Sequence, residues 1–267
     1  MKKIILFVSG IFAILVLTAF WASVSNATSF VDLTFQGKTN KESYLIGEPV
    51  KLEFKFVNTG LRPVDVPSGG VEVGSLRVLI GSERNGKYND YRGPGWGVKR
   101  GRRMELAPGD AYAYKEAIVL WSGKPQVSHL NEDAACVALE GRIPTDYAFE
   151  APGVYWVKGL SYVGTDLKPV ESEPFRIEIK EPVEENAGAW NRIKGNREIA
   201  LLMQTGSFDT TNDATKQTLI SEVEQILLDY PESTYSAYLR PNLQKYKGDE
   251  IRRKEWLENA LKSQKKP

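Results

Sequence analysis

The stretch Val50-Lys51-Leu52-Glu53-Phe54-Lys55-Phe56 decides the fold class. Apolar and charged residues alternate strictly along it. In a strand, successive side chains point to opposite faces. Val50, Leu52, Phe54 and Phe56 therefore share one apolar face, and Lys51, Glu53 and Lys55 share a charged one. Asn58-Thr59-Gly60 ends the run with turn chemistry.

The same period recurs on either side, from Val31 to about Lys180. Leu76–Ser82 reads as a strand closed by Glu83-Arg84-Asn85-Gly86, where Asn-Gly tolerates the positive φ of a hairpin turn. Tyr112–Trp121 follows the turn trio Pro108-Gly109-Asp110, and Val154–Val163 follows Pro152-Gly153. Phe175–Lys180 again alternates, with Phe175, Ile177 and Ile179 against Arg176, Glu178 and Lys180. Six or seven one-sided strands with no helix between them predict an antiparallel β-sandwich.

Beyond Glu181-Pro182 the period changes. Leu219, Val223, Ile226 and Leu227 fall on one face of a helix. Tyr235, Tyr238, Leu239, Leu243 and Tyr246 mark a second helix, and Ile251, Trp256, Leu257, Ala260 and Leu261 a third. An earlier helix is expected over Ala187–Met203, with breaks at Pro231 and at Gly248-Asp249. The expected class is mainly β plus α, a sandwich followed by antiparallel helical hairpins. The boundary falls near residues 181–190, giving a β domain over 28–182 and a helical region over 183–267. Trp190 lies at this junction and is expected to dock the two parts.

The first 27 residues stand apart. Lys2 and Lys3 precede an uncharged stretch from Ile4 to Val31, and Ser25-Asn26-Ala27 supplies small residues before Thr28. Basic start, apolar centre and small-residue exit predict a secretory signal. An uncleaved anchor over residues 4–24 is the competing reading, since about 20 apolar residues span a bilayer. Cleavage after Ala27 would place the protein in the periplasm or outside the cell.

The chain has 267 residues, 35 Lys or Arg and 34 Asp or Glu. That balance argues against nucleic acid as a partner. One Cys and one His exclude a Cys/His zinc cluster and an internal disulfide framework. No metal or other cofactor is expected. Cys136 reads as a buried thiol. His129 with Glu132 and Asp133 nearby could be imagined as hydrolase machinery, but no oriented base or oxyanion signature accompanies it. Asp209-Thr210-Thr211-Asn212-Asp213 lacks the ligand spacing of a calcium loop, and Asn212 or Asp213 reads as a helix N-cap. Carboxylate pairs such as Glu184-Glu185 read as solvated faces. Trp121 and Trp156 lie on expected strands and read as core.

The segment from Tyr88 to Arg103 is the least ordinary. It gathers Tyr88, Tyr91 and Trp96 with Lys99, Arg100, Arg102 and Arg103, among four glycines. Aromatic rings stack on sugars or peptide side chains, and cations hold anionic groups. These seven residues form the candidate binding loop, and the plain alternative is a long solvated connection. The partner class is an envelope protein or glycan.

Two resemblances add to this reading. Tyr44-Leu45-Ile46-Gly47-Glu48-Pro49-Val50, Phe56-Val57-Asn58-Thr59-Gly60, Leu106-Ala107-Pro108-Gly109-Asp110 and Phe149-Glu150-Ala151-Pro152-Gly153-Val154-Tyr155 resemble the immunoglobulin-like or macroglobulin-type sandwich modules of secreted bacterial proteins. The BsuPI proteinase-inhibitor domain is one relative, and that resemblance implies an inhibitor as an alternative function. Ile226–Tyr235 with Ala237 and Leu239 resembles a tetratricopeptide-like hairpin, which implies peptide or envelope partners. Only one unit is present, and a solenoid needs about three, so helical hairpins packed on the sandwich are expected. The principal functional expectation is a non-enzymatic exported binding protein.

Overall fold

A computed structural model describes residues 33–91, 93, 102–122 and 147–264. They form several antiparallel sheets and four helices, a mixed β and α architecture with no closed barrel among the described residues. The strands are β1 (Leu33–Thr39), β2 (Ser43–Leu45), β3 (Val50–Asn58), β4 (Val64–Pro67), β5 (Arg77–Gly81) and β6 (Asn89–Tyr91). They continue as β7 (Arg103–Leu106), β8 (Ala111–Ala113), β9 (Ala117–Val119), β10 (Gly153–Val163), β11 (Lys168–Glu171) and β12 (Phe175–Lys180).

The alternating run is β3, and its apolar positions are all buried. It is the centre of one sheet, with β1 along one side and β8 and β9 along the other. The second sheet runs β2-β12-β10-β5-β6, with β11 beside β10. Strand β2 joins it in parallel, and the other pairings are antiparallel. A two-stranded ribbon of β4 and β7 completes the β part.

The two larger sheets bury their inner faces against one another. Phe35 stacks on Phe56 at 4.3 Å between ring centres, and Phe54 meets Phe175 of the other sheet at 6.1 Å. Leu52, Val78, Val157 and Ile177 fill the same core. Strands β11 and β12 are one line along β10 interrupted at Ser172-Glu173-Pro174. There the Ser172 hydroxyl accepts from the Gly159 N–H at 2.9 Å, while the Ser172 N–H donates to the Gly159 carbonyl. Pro174, which has no N–H, sits in this interruption, where no ladder bond is asked of it.

The helices are α1 (Glu184–Ile193), α2 (Arg197–Thr205), α3 (Asp213–Asp229) and α4 (Thr234–Gln264). The single helix expected over Ala187–Met203 is two. Asn196 stops the first and caps the second, its side chain accepting from the Ile199 N–H at 3.2 Å. Asn212 caps α3 in the same way, through the Thr215 N–H. The break expected at Gly248-Asp249 does not occur, and α4 continues through Pro241 and Gly248. Leu239, Leu243 and Tyr246 are buried along it, and that packing outweighs the roughly 1 kcal/mol helix penalty of one glycine. The strand expected over Tyr112–Trp121 is likewise divided, into β8 and β9. Both pair with β3, and Tyr114-Lys115-Glu116 leaves the ladder between them.

Trp156 differs from its expected place in the core. It lies on the outer face of β10, half-buried, beneath the Arg84 guanidinium at 5.4 Å. Strand alternation explains this, because Tyr155 and Val157 take the inward positions. Trp121 is buried and packs edge-on against Tyr147.

Candidate functional site

The helices dock on the β part through one continuous seam. Leu120, Trp121 and Tyr147 from the β part enter the helical core with Ile193, Ile199, Leu202, Val223 and Leu239. Trp190 stacks on Tyr235 at 5.9 Å and meets Tyr147 edge-on at 5.0 Å. The turn between β2 and β3 closes over this cluster. Gly47 has φ +74, and a methyl there would stand 2.0 Å from the Trp190 ring. The Tyr235 hydroxyl donates to the Ile46 carbonyl at 2.6 Å.

Glu48 follows in the same turn and is nearly inaccessible. Its carboxylate accepts from the Leu45 N–H at 2.9 Å, from the Tyr238 hydroxyl at 2.9 Å and from the Lys41 ammonium. Three donors compensate a charge that burial alone would disfavour. Burial and the adjacent Glu48 charge push the Tyr238 hydroxyl well above its ordinary value of 10.0. Tyr235 is pushed up likewise, first by burial and then by Glu48.

Gln204 makes the second set of links. Its amide oxygen accepts from the Trp121 N–H at 2.9 Å, and its amide nitrogen donates to the Ile118 carbonyl at 2.8 Å and to the Tyr91 hydroxyl. A side chain from α2 thus satisfies the open edge of β9 as another strand would. The Tyr91 hydroxyl in turn donates to the Trp121 carbonyl at 3.1 Å. Asn242 on α4 donates to the Met203 carbonyl at 2.9 Å, satisfying one of the last carbonyls of α2.

A cleft of about 610 Å³ lies beside this seam, between the β3–β9 edge and helices α2 and α4. Its cations are Lys51, Lys115 and Lys245, and its acid is Glu116, 3.3 Å from Lys51. Lys245 also lies beside Gly206, which closes α2, where a cation is favoured by the helix dipole. Ala237 and Pro241 form part of the α4 wall. Having no N–H, Pro241 leaves the Ala237 carbonyl without its usual donor inside the helix. The cleft therefore offers cationic donors and the apolar surface of Ile118, Met203 and Ala237.

The structure separates the seven candidate residues. Tyr91 is not an exposed anchor. It is buried, sharing the core between the sheets, and its hydroxyl is committed to Gln204 and Trp121, so it contributes only to the floor of the cleft. Tyr88 lies on the outer face of the larger sheet, with the Lys158 ammonium 4.5 Å from its ring centre and its hydroxyl donating to the Arg84 carbonyl. Arg103 is exposed on β7 and donates to the Asp65 and Gly164 carbonyls. Arg102 is exposed beside it, its carbonyl accepting from the Ser68 N–H and hydroxyl. Trp96, Lys99 and Arg100 lie outside the described residues, as do His129 and Cys136. Gly93, within the candidate segment, borders the cleft.

Sequence reading missed Lys51, Lys115, Glu116, Gln204 and Lys245. Lys51 reads as an ordinary charge on the outer face of its strand; the pairing of β9 with β3 brings Glu116 to it, and only the docking of α2 and α4 adds Gln204 and Lys245. Among the described residues no group of three His, Cys, Asp or Glu side chains could hold a metal ion. No helix among them is long and apolar enough to cross a membrane. The signal or anchor segment lies outside the described residues.

No protein-family model matches this chain, and no curated protein matches it in sequence. Among solved structures it is similar to the sporulation control protein Spo0M of Bacillus subtilis, at 10% identity and TM-score 0.33, over 62% of this chain and 56% of that one. It is similar to the β-glucosidase EmGH1 of Erythrobacter marinus, at 12% identity and TM-score 0.27, over 55% of this chain and 15% of that one. For the alkylpurine DNA glycosylase AlkC of Pseudomonas fluorescens the values are 11% and 0.27, over 59% and 33%. The chain thus spans less than two thirds of each of these proteins, and likeness at this level defines neither fold family nor function.

Proposed function

We propose that the chain is an exported, non-enzymatic binding protein of the bacterial envelope. In this reading the β part is an immunoglobulin-like sandwich over residues 28–182, and the tetratricopeptide-like helices of residues 183–267 are clamped to it. A protein or glycan partner is held in the cleft between them. The observation that carries the reading is the cleft itself. It is large enough for a peptide or sugar segment and combines three lysines with apolar wall. The perturbed tyrosines around it are engaged in holding the two parts together and are not poised for proton transfer.

The test is a pull-down from envelope extract with the chain beginning at residue 28. It is repeated with Lys115→Glu plus Lys245→Glu, and with Lys168→Glu as a control on β11, away from the cleft. Loss of a partner in the double variant and its retention in the control is expected. An unchanged partner list in the double variant would refute the cleft as the site.

A further inference from the structure

Helix α4 has two unlike halves. Tyr235, Leu239, Leu243 and Tyr246 are buried against the other helices. From Ile251 to Asn259 every residue is exposed. The overhang from Ile251 to Gln264 is about 21 Å long at 1.5 Å per residue. Spacings of four, three, four, three and four lead from Leu239 through Leu243, Tyr246, Glu250 and Arg253 to Leu257. The buried face therefore continues into solvent at Leu257, with Trp256 at its flank. Trp256 is 68% exposed and Leu257 46%.

Two features indicate what this end contacts. A helical partner would need a sustained apolar seam, and here the seam positions Glu250 and Arg253 are charged and lie 3.8 Å apart as an exposed ion pair. The second feature is charge. The chain is nearly neutral, yet residues 252–267 carry six Lys or Arg against two Glu. Arg252 and Lys254 lie on either side of the Trp256–Leu257 face. Long cationic side chains flanking an exposed Trp and Leu match a phospholipid interface, where stems lie in the apolar boundary and charges reach the headgroups. The pairs Arg252–Asp249 and Arg253–Glu250 are surface bridges of little strength and can be exchanged for lipid phosphate.

We propose that the exposed end of α4 is a docking element for an anionic phospholipid bilayer. Trp256 and Leu257 enter the interface, and Arg252, Arg253 and Lys254 pair with headgroup phosphates. This contact is independent of the cleft.

The test is vesicle co-sedimentation. The chain used begins at residue 28, because both cores lie within residues 33–264 and the apolar N-terminal run would itself enter lipid. Vesicles of phosphatidylcholine alone are compared with vesicles containing phosphatidylglycerol. Partitioning at least about tenfold greater onto the anionic vesicles is expected, weakened by high salt, since each cation near such a surface contributes about fivefold. Trp256→Ser with Leu257→Ser should lower it about tenfold or more. Arg252→Glu, Arg253→Glu and Lys254→Glu together should abolish the lipid preference, with the melting temperature unchanged in both variants. If the charge-reversed helix frays, the salt dependence of the unaltered chain reads the same term. Equal partitioning onto both vesicles, or variants that bind like the parent, would overturn the proposal. So would a concentration-dependent dimer lost in Trp256→Ser with Leu257→Ser and no vesicle binding, which would assign the face to a second copy.

Discussion

Replacing Gly47 by alanine tests the docking seam directly. Two costs add at this position. The residue has φ +74, a left-handed conformation that costs an L side chain about 1–2 kcal/mol. The new methyl would stand 2.0 Å from Cζ3 of Trp190 and within 2.7 Å of two further ring atoms. The ring cannot yield freely, because it is held against Tyr235 and Tyr147. Overpacking of this kind costs about 1–3 kcal/mol. Gly47→Ala should therefore destabilise by about 2–5 kcal/mol. Gly109→Ala isolates the first cost, since Gly109 has φ +82 and a methyl there meets nothing within 4 Å. It should cost about 1–2 kcal/mol. Urea unfolding followed by far-ultraviolet circular dichroism and tryptophan emission measures both. The cycle is closed with Trp190→Ala, which alone should cost about 3–5 kcal/mol through the cavity it leaves. On that background Gly47→Ala should cost only the backbone share. A Gly47→Ala cost within about 0.5 kcal/mol of Gly109→Ala, or full additivity with Trp190→Ala, would refute the ring contact as the tight point of the seam.

Gln204→Leu removes the acceptor of the Trp121 N–H and leaves the Ile118 carbonyl only the longer bond from the Tyr91 hydroxyl at 3.4 Å. It should lower stability by about 2–4 kcal/mol in the same assay, and a loss under about 1 kcal/mol would show that the amide does not close the β9 edge. Asn58 donates to the Arg62 and Leu106 carbonyls and accepts from the Gly60 N–H, so Asn58→Ala should cost about 2–3 kcal/mol by calorimetry. Stability should fall as pH rises past 10. Burial holds Tyr91, Tyr114, Tyr235 and Tyr238 above the ordinary value, so the folded chain keeps protons that the unfolded chain releases. Below pH 10 these groups should contribute no slope. Tyr91→Phe should flatten the alkaline slope of denaturant midpoint against pH, and an unaltered slope would assign the alkaline loss elsewhere.

The β part was legible where one face of a strand is buried and the other is wet. Phe175–Lys180 is a strand over those residues, because its alternation is complete. Legibility failed where tertiary contact overrides local preference. Gly248 reads as a stop, yet Leu243 and Tyr246 are already packed before it and carry the helix through. Ala187–Met203 reads as one helix, yet Asn196 caps a second helix within it. In the candidate loop, residue types carried the expectation, but side-chain direction could not be read from them. Tyr91 ends β6 facing inward, opposite Val78, while Tyr88 faces the outer sheet surface. The cleft was invisible for a simpler reason: its lysines come from β3, from the β8–β9 link and from α4, and no local pattern connects them.

Helix α4 is packed from Tyr235 to Tyr246 and exposed from Ile251 to Asn259, which makes its far part a lever arm. The projecting part from Ile251 to Gln264 measures about 21 Å, so a 10° change of tilt at its base swings the far end by about 4 Å. Two contacts hold the packed part to the turn between β2 and β3, Tyr235 to Ile46 and Tyr238 to Glu48, and Tyr238 also lines the cleft.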